Sequence, residues 1–239
     1  MNPTAATFAT THWSVVLAAG QSTDAQASEA LEQLCRTYWY PLYAFVRRQG
    51  RSPEDAQDLT QGFFARLLEK NYLAQVERQK GKFRSFLLAA LRHFLADQRD
   101  RARAVKRGGG ADCLSLDAQT AEQRYCLEPV DRMDAEKIYE RRWAMTLLEQ
   151  ALTRLRDENI AAGKLELFER LRDFVAGESD ISSAEAATQL GLTESTVKSA
   201  LHRLRQRYRE LVREEVAHTV AGPAEIDAEL RYLITVMSQ

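Results

Sequence analysis

Helix breakers are scarce, with 11 glycines and 5 prolines in 239 residues. Beside abundant Ala, Leu, Arg, Glu and Gln, that scarcity points to helix rather than sheet. Hydrophobic residues make up 45% and charged residues 28%, so the chain is neither disordered nor collagen-like. Three cysteines, Cys35, Cys113 and Cys126, are too few and too far apart for a disulfide framework or a CxxC metal site, and read as reduced thiols. Four histidines, His12, His93, His202 and His218, include no HExxH or HxxxH pair. Neither GxSxG nor a phosphate-binding loop occurs, so the expectation is a non-enzyme with no cofactor and no metal. The longest early apolar run, Trp13 to Ala19, has no basic residue before it. It is too short for a signal peptide or a membrane span, which makes a cytoplasmic protein without membrane insertion the expectation.

What the chain does have is separated charge. The net charge is −1, yet residues 78–107 carry ten Lys or Arg against only Asp97 and Asp100. Residues 198–213 carry six against Glu210, and residues 108–197 carry ten basic and eighteen acidic residues. Local basic surface of this kind is the footprint of nucleic acid, although a solvated helix face has the same composition.

Apolar spacing of three and four predicts a helix from Ser28 through Leu31, Leu34, Cys35, Tyr38, Leu42, Phe45 and Val46, with Pro41 marking a kink or break. Ser52-Pro53-Glu54-Asp55 predicts the start of a second helix, and Phe83 to about Val105 a third. Gly108-Gly109-Gly110 then ends one domain and opens an acidic linker. Helical spacing resumes at Trp143 and runs on to Val175. Ser183 caps a short helix, Ala184 to Leu190, that stops at Gly191, and Thr193 caps a longer basic helix with Val197, Leu201, Leu204, Tyr208 and Leu211 inward. Pro223 opens a final amphipathic helix with Ile226, Leu230, Leu233, Ile234 and Met237.

Three segments carry chemistry. In residues 183–209 a short helix, a glycine turn and a basic helix make a helix-turn-helix, with an ordinary helical hairpin as the plainer alternative. Glu194, Ser195, Lys198, Ser199 and His202 share the outward face, and Arg203, Arg205, Arg207 and Arg209 follow for phosphates. In residues 80–107, Phe83, Phe86 and Phe94 interleave with Arg84, Arg92, His93 and Arg99, the mixture that stacks bases and holds phosphates, although phenylalanines at this spacing also fill cores. In residues 55–67, Asp58, Gln61 and Phe64 are read as one mixed face that suits a protein interface, although taken alone the segment reads more simply as a solvated helix.

In this order the segments resemble an RNA polymerase sigma factor of the sigma-70 class, extracytoplasmic-function (ECF) type. Asp58-Leu59-x-Gln61-x-x-Phe64-x-Arg66 resembles the polymerase-binding helix of region 2. Phe86-Leu87 through Ala90-Leu91-Arg92-His93 to Asp97-x-x-Asp100-Arg101 resembles the segment that opens and reads the −10 element. Thr196-Val197-Lys198-Ser199-x-Leu201-His202-Arg203-x-Arg205 resembles the region 4 recognition helix, which reads the −35 element. Phe86 and His93 stand where the family usually has Trp and Asn.

The resemblance implies an all-α fold of two small helical domains, region 2-like and region 4-like, on a flexible linker. The expected boundaries are an N-terminal extension 1–27, a region 2-like domain 28–107, a linker 108–138, a region 4-like domain 139–215 and a C-terminal helix 216–239. Implied polymerase contacts are Asp58, Leu59, Gln61, Phe64 and Arg66. Implied −10 contacts are Lys82, Arg84, Phe86, Arg92, His93, Arg99 and Arg101. Implied −35 contacts are Ser195, Thr196, Lys198, Ser199, His202, Arg203 and Arg205. The partners implied are core RNA polymerase and promoter DNA, with an anti-sigma or other regulatory protein left open. A helix-turn-helix regulator that is not a sigma subunit is the alternative. Residues 214–239 carry five acids against Arg231, so the last helix is expected to pack on the second domain, completing its core or masking its basic helix.

Overall fold

The computed structural model describes residues 25–69, 82–104, 118–126, 134–176, 182–220 and 222–238. The early apolar run Trp13 to Ala19 and the Gly108–Gly110 break lie outside the described residues. Among those described, nine α-helices and no strand occur: α1 (Ala25–Arg48), α2 (Pro53–Glu69), α3 (Phe83–Ala104), α4 (Ala118–Cys126), α5 (Ala135–Ala161), α6 (Leu165–Ala176), α7 (Ser183–Leu190), α8 (Glu194–Thr219) and α9 (Ile226–Met237). A 3-10 turn, Pro223–Glu225, leads into α9. The fold is all-α, as expected. The chain divides into two compact units, one of Met1–Met145 with Ala217–Gln239, the other Thr146–Val216.

In the first unit α1 is the central helix. Every residue from Thr37 to Val46 is buried, the signature of a helix covered on all sides. Helix α1 runs through Pro41 without a break. A proline inside a helix costs about 3 kcal/mol, and the surrounding burial of Tyr38, Leu42, Tyr43 and Phe45 outweighs it. Helix α2 begins as its sequence dictates, with Ser52 Oγ accepting from the Asp55 amide at 3.0 Å. It buries Ala56, Phe63, Phe64 and Leu67, while α3 buries Phe83, Leu87, Leu91, Phe94 and Leu95. The stretch expected to be a bare linker contains α4. Its Glu122 accepts from Arg47 Nη2 at 2.7 Å and Nε at 2.9 Å, and from the Tyr43 hydroxyl. A forked arginine–carboxylate pair thus ties that stretch to α1.

Helix α5 starts at Ala135, earlier than the Trp143 pattern suggests, with Asp134 Oδ1 capping the Lys137 amide at 2.8 Å. The opening turns of α5 bury Ile138, Tyr139, Trp143 and Ala144. Helix α9 belongs to this first unit, against the expectation that it packs on the second. Its buried positions are Ile226, Glu229, Leu233 and Val236. Ile234 and Met237, expected inward, are 63% and 37% exposed. Spacings of three and four from Ile226 permit either stripe, and the cations that receive Glu229 select this one.

In the second unit Leu147, Ala151 and Leu155 of α5 are buried, as are Phe168 and Leu171 of α6 and Val197 and Leu211 of α8. The join from α5 to α6 is a short turn through Gly163 at φ 67°, where the Lys164 amide reaches the Asn159 carbonyl at 2.8 Å. Residues Asp157 to Ala161 still belong to α5.

Candidate nucleic-acid interface

The second unit builds its face from local signals. Ser182 caps α7: its Oγ accepts from the Glu185 amide at 3.2 Å, and its own amide donates to Glu185 Oε2 at 2.7 Å. This reciprocal box fixes the helix start, one residue before the Ser183 expected. The Ser182 amide holds the Glu185 carboxyl below the usual carboxylate range. At the other end Gly191 adopts φ 64°, ψ 26°, and its amide points back to the Ala187 and Thr188 carbonyls. The Leu192 amide also reaches the Ala187 carbonyl, at 3.0 Å. A left-handed residue at that position stops the helix and turns the chain. Thr193 Oγ1 then accepts from the Thr196 amide at 3.3 Å to start α8.

With Val197, Ala200 and Leu201 buried, α8 turns Ser195, Thr196, Lys198, Ser199, His202 and Arg203 outward, all exposed. Lys198 pairs with Glu194 at 2.7 Å with both side chains largely in solvent, a weak pair that another anion displaces readily. Arg205 departs from expectation. Its Nη2 and Nε donate to the Phe174 carbonyl at 2.9 and 3.3 Å, so it closes the last turn of α6. Arg207 is likewise engaged, by Glu158 at 2.7 Å and by Glu210 and Glu214. That hydrogen bond from Arg207 holds Glu158 below the usual carboxylate range.

The first unit distributes its candidate residues differently. Of the expected polymerase contacts, Asp58 is exposed and Leu59 partly so. Gln61 and Phe64 are 8% and 5% exposed, and the Phe64 ring meets Phe63 edge-on at 5.7 Å. Arg66 pairs with Asp97 at 2.9 Å and lies over Phe94. Phe64 is therefore a core residue and not an exposed interface aromatic. The reason is helical drift. Each step of three falls about 60° short of a full turn, so Asp58 and Phe64 stand about 120° apart and only one of them reaches solvent.

Of the expected −10 contacts, His93, Arg99 and Arg101 are exposed and Phe86 is partly buried. His93 borders a pocket with Phe63, Arg66, Leu67, Ala90, Phe94 and Asp97 whose volume of about 20 Å³ admits roughly one water, so a base would lie on its rim. Arg84 is 4% exposed, contrary to a residue waiting for DNA. Its Nε donates to Glu140 Oε2 at 2.7 Å, and Nη1 pairs with Glu229. Its guanidinium lies 4.1 Å from the centre of the Tyr232 ring and 4.8 Å from that of Trp143. Lys82 Nζ is 2.6 Å from Glu229 Oε2, and burial together with the Arg84 charge holds its ammonium below the usual lysine range. Arg92 pairs with Glu136.

A family model described as ECF sigma factor matches residues 11–214. The chain belongs to the ECF sigma factor family. No curated protein and no solved structure matches it. This sigma factor is thus a transcription initiation factor by family, and the helix-turn-helix of α7 and α8 fits that membership. Among the described residues of the sigma factor no group of three or more His, Cys, Asp or Glu is placed to hold a metal, and no helix is long and apolar enough to cross a membrane.

Reasoning from sequence missed Glu140, Trp143, Glu229 and Tyr232 as partners of the basic residues on and before α3. One signal was available: Glu229 sits three residues after Ile226 and four before Leu233, a charge inside an apolar stripe, and such a charge needs a buried partner.

Proposed function

We propose that the chain is a sigma subunit that binds core RNA polymerase and directs it to promoters, with the first unit engaging the −10 element and the second reading the −35 duplex. The observation that carries this reading is the α8 face. Six polar or basic side chains, Ser195, Thr196, Lys198, Ser199, His202 and Arg203, stand in solvent on a helix whose start and inward face are fixed by caps and burial. That presentation fits a helix entering the major groove, where its first turns meet base edges. Arg99 and Arg101, exposed on α3, would hold phosphates of the opened strand. Asp58, exposed on α2, remains the residue for the polymerase surface, while Gln61, Phe64 and Arg66 serve that surface by holding α2 in place.

Capture of purified core polymerase by the full chain tests the reading, followed by selection of bound promoter fragments. The expected result is a stable complex that enriches fragments sharing two spaced boxes, weakened by Asp58→Ala. Binding should fall steeply with salt, because each neutralised phosphate releases counterion. A chain that selects duplex DNA but ignores core polymerase is a helix-turn-helix regulator, and the sigma reading fails.

A further inference from the structure

Three carboxylates from later helices meet the basic groups on and beside the start of α3. Glu136 and Glu140 come from α5 and Glu229 from α9. They pair with Arg92, with Arg84, and with Lys82 and Arg84 together. Glu229 is 1% exposed. A carboxylate held by an arginine and a lysine has the chemistry of a backbone phosphate. The Tyr232 ring, 4.1 Å over Arg84 and 4.8 Å from Lys82, lies where a base would stack beside those cations.

We propose that α9 is an intramolecular DNA surrogate, which occupies Lys82 and Arg84 in the free protein and must leave before this face accepts single-stranded DNA. The proposal rests on the reading of α3 as the −10-binding face. Three observations favour it over plain core completion. Stability alone does not call for a charge at position 229, since a well-packed apolar replacement of a buried ion pair is often neutral or stabilising. Helix α9 buries four of its twelve positions and leaves Ile234 and Met237 outward. It is also entered through a 3-10 turn that buries no residue and makes no side-chain cap. An element of that kind opens at lower free energy than the core around it.

The test measures anisotropy of a labelled single-stranded oligonucleotide with the full chain, its Glu229→Gln variant and a chain ending at Ala221. If the covered state holds nine molecules in ten, uncovering raises the apparent affinity about tenfold. The proposal expects that gain in both variants and its loss when Lys82→Ala is added. Arg99→Ala with Arg101→Ala, outside the clamp, separates the two readings. If that pair weakens binding while neither clamp variant strengthens it, the −10 reading stands and the surrogate is overturned. If none of the variants changes binding, the −10 reading fails and takes the surrogate with it. Hydrogen exchange on the unaltered chain covers the case in which a clamp variant misfolds. Amides of residues 226–237 should exchange faster once the oligonucleotide is bound, and unchanged protection overturns the proposal.

Discussion

On α8 six of the side chains expected to meet DNA, Ser195, Thr196, Lys198, Ser199, His202 and Arg203, stand in solvent, with Lys198 paired to the exposed Glu194, while Arg205 and Arg207 are engaged within their own unit. On and beside α3, three of the expected cations, Lys82, Arg84 and Arg92, are paired with carboxylates contributed by helices that begin more than 40 residues later in the chain. Both segments are basic and both bury one apolar stripe. They differ in how the face is made. The α8 face follows from caps and a glycine within twelve residues, whereas the α3 face depends on what α5 and α9 bring to it. Charge in a sequence therefore announces a binding surface only where nothing from the same chain answers that charge.

The sharpest way to break this comparison is Phe64→Ala. If Phe64 is core, truncation costs the first unit about 3–5 kcal/mol, read as a lower denaturant midpoint, while Asp58→Ala leaves that midpoint in place. A stable Phe64→Ala protein with weaker polymerase binding would restore Phe64 to the interface.

On the open face, Lys198→Ala and His202→Ala should each cost about 1–3 kcal/mol of duplex discrimination with no change in unfolding. A selection of bound sequences that returns the same −35 preference removes them from the readout. Gly191→Ala tests the turn that presents the face. A Cβ there meets nothing within 4 Å, so the cost is the left-handed backbone alone, about 1 kcal/mol of stability.

Smallest is the pH effect. Glu158, hydrogen-bonded by Arg207, and Glu185, hydrogen-bonded by the Ser182 amide, are both held below the usual carboxylate range. Their contributions are present above the ordinary carboxylate range, which the unfolded chain keeps, and are lost as pH falls through the lowered folded values. Stability of the second unit should thus decline slightly on acidification, and the Arg207→Gln variant should lose part of that slope. An unchanged slope in the variant contradicts the assignment to Glu158.

Local rules made much of this molecule legible. The capping residues Ser52 and Thr193 and the stop at Gly191 could be read from a few adjacent positions. The inward positions Leu34, Tyr38, Leu42, Phe45 and Val46 of α1 followed from spacing. What stayed hidden depended on long-range partners. Nothing near Arg84 in the chain shows that Glu140 and Glu229 will enclose it, and nothing near Glu122 shows that α4 will dock on Arg47. The central position of α1 likewise hides why Pro41 does not break it. The mixed face of α2 failed for a different reason, since three residues that look one turn apart drift around the helix.

Run-off transcription with core polymerase on genomic fragments tests the central claim most directly. Transcripts should begin at defined starts only when this protein is present, and vanish with Lys198→Ala and His202→Ala combined. The same transcripts with and without the protein would contradict that claim.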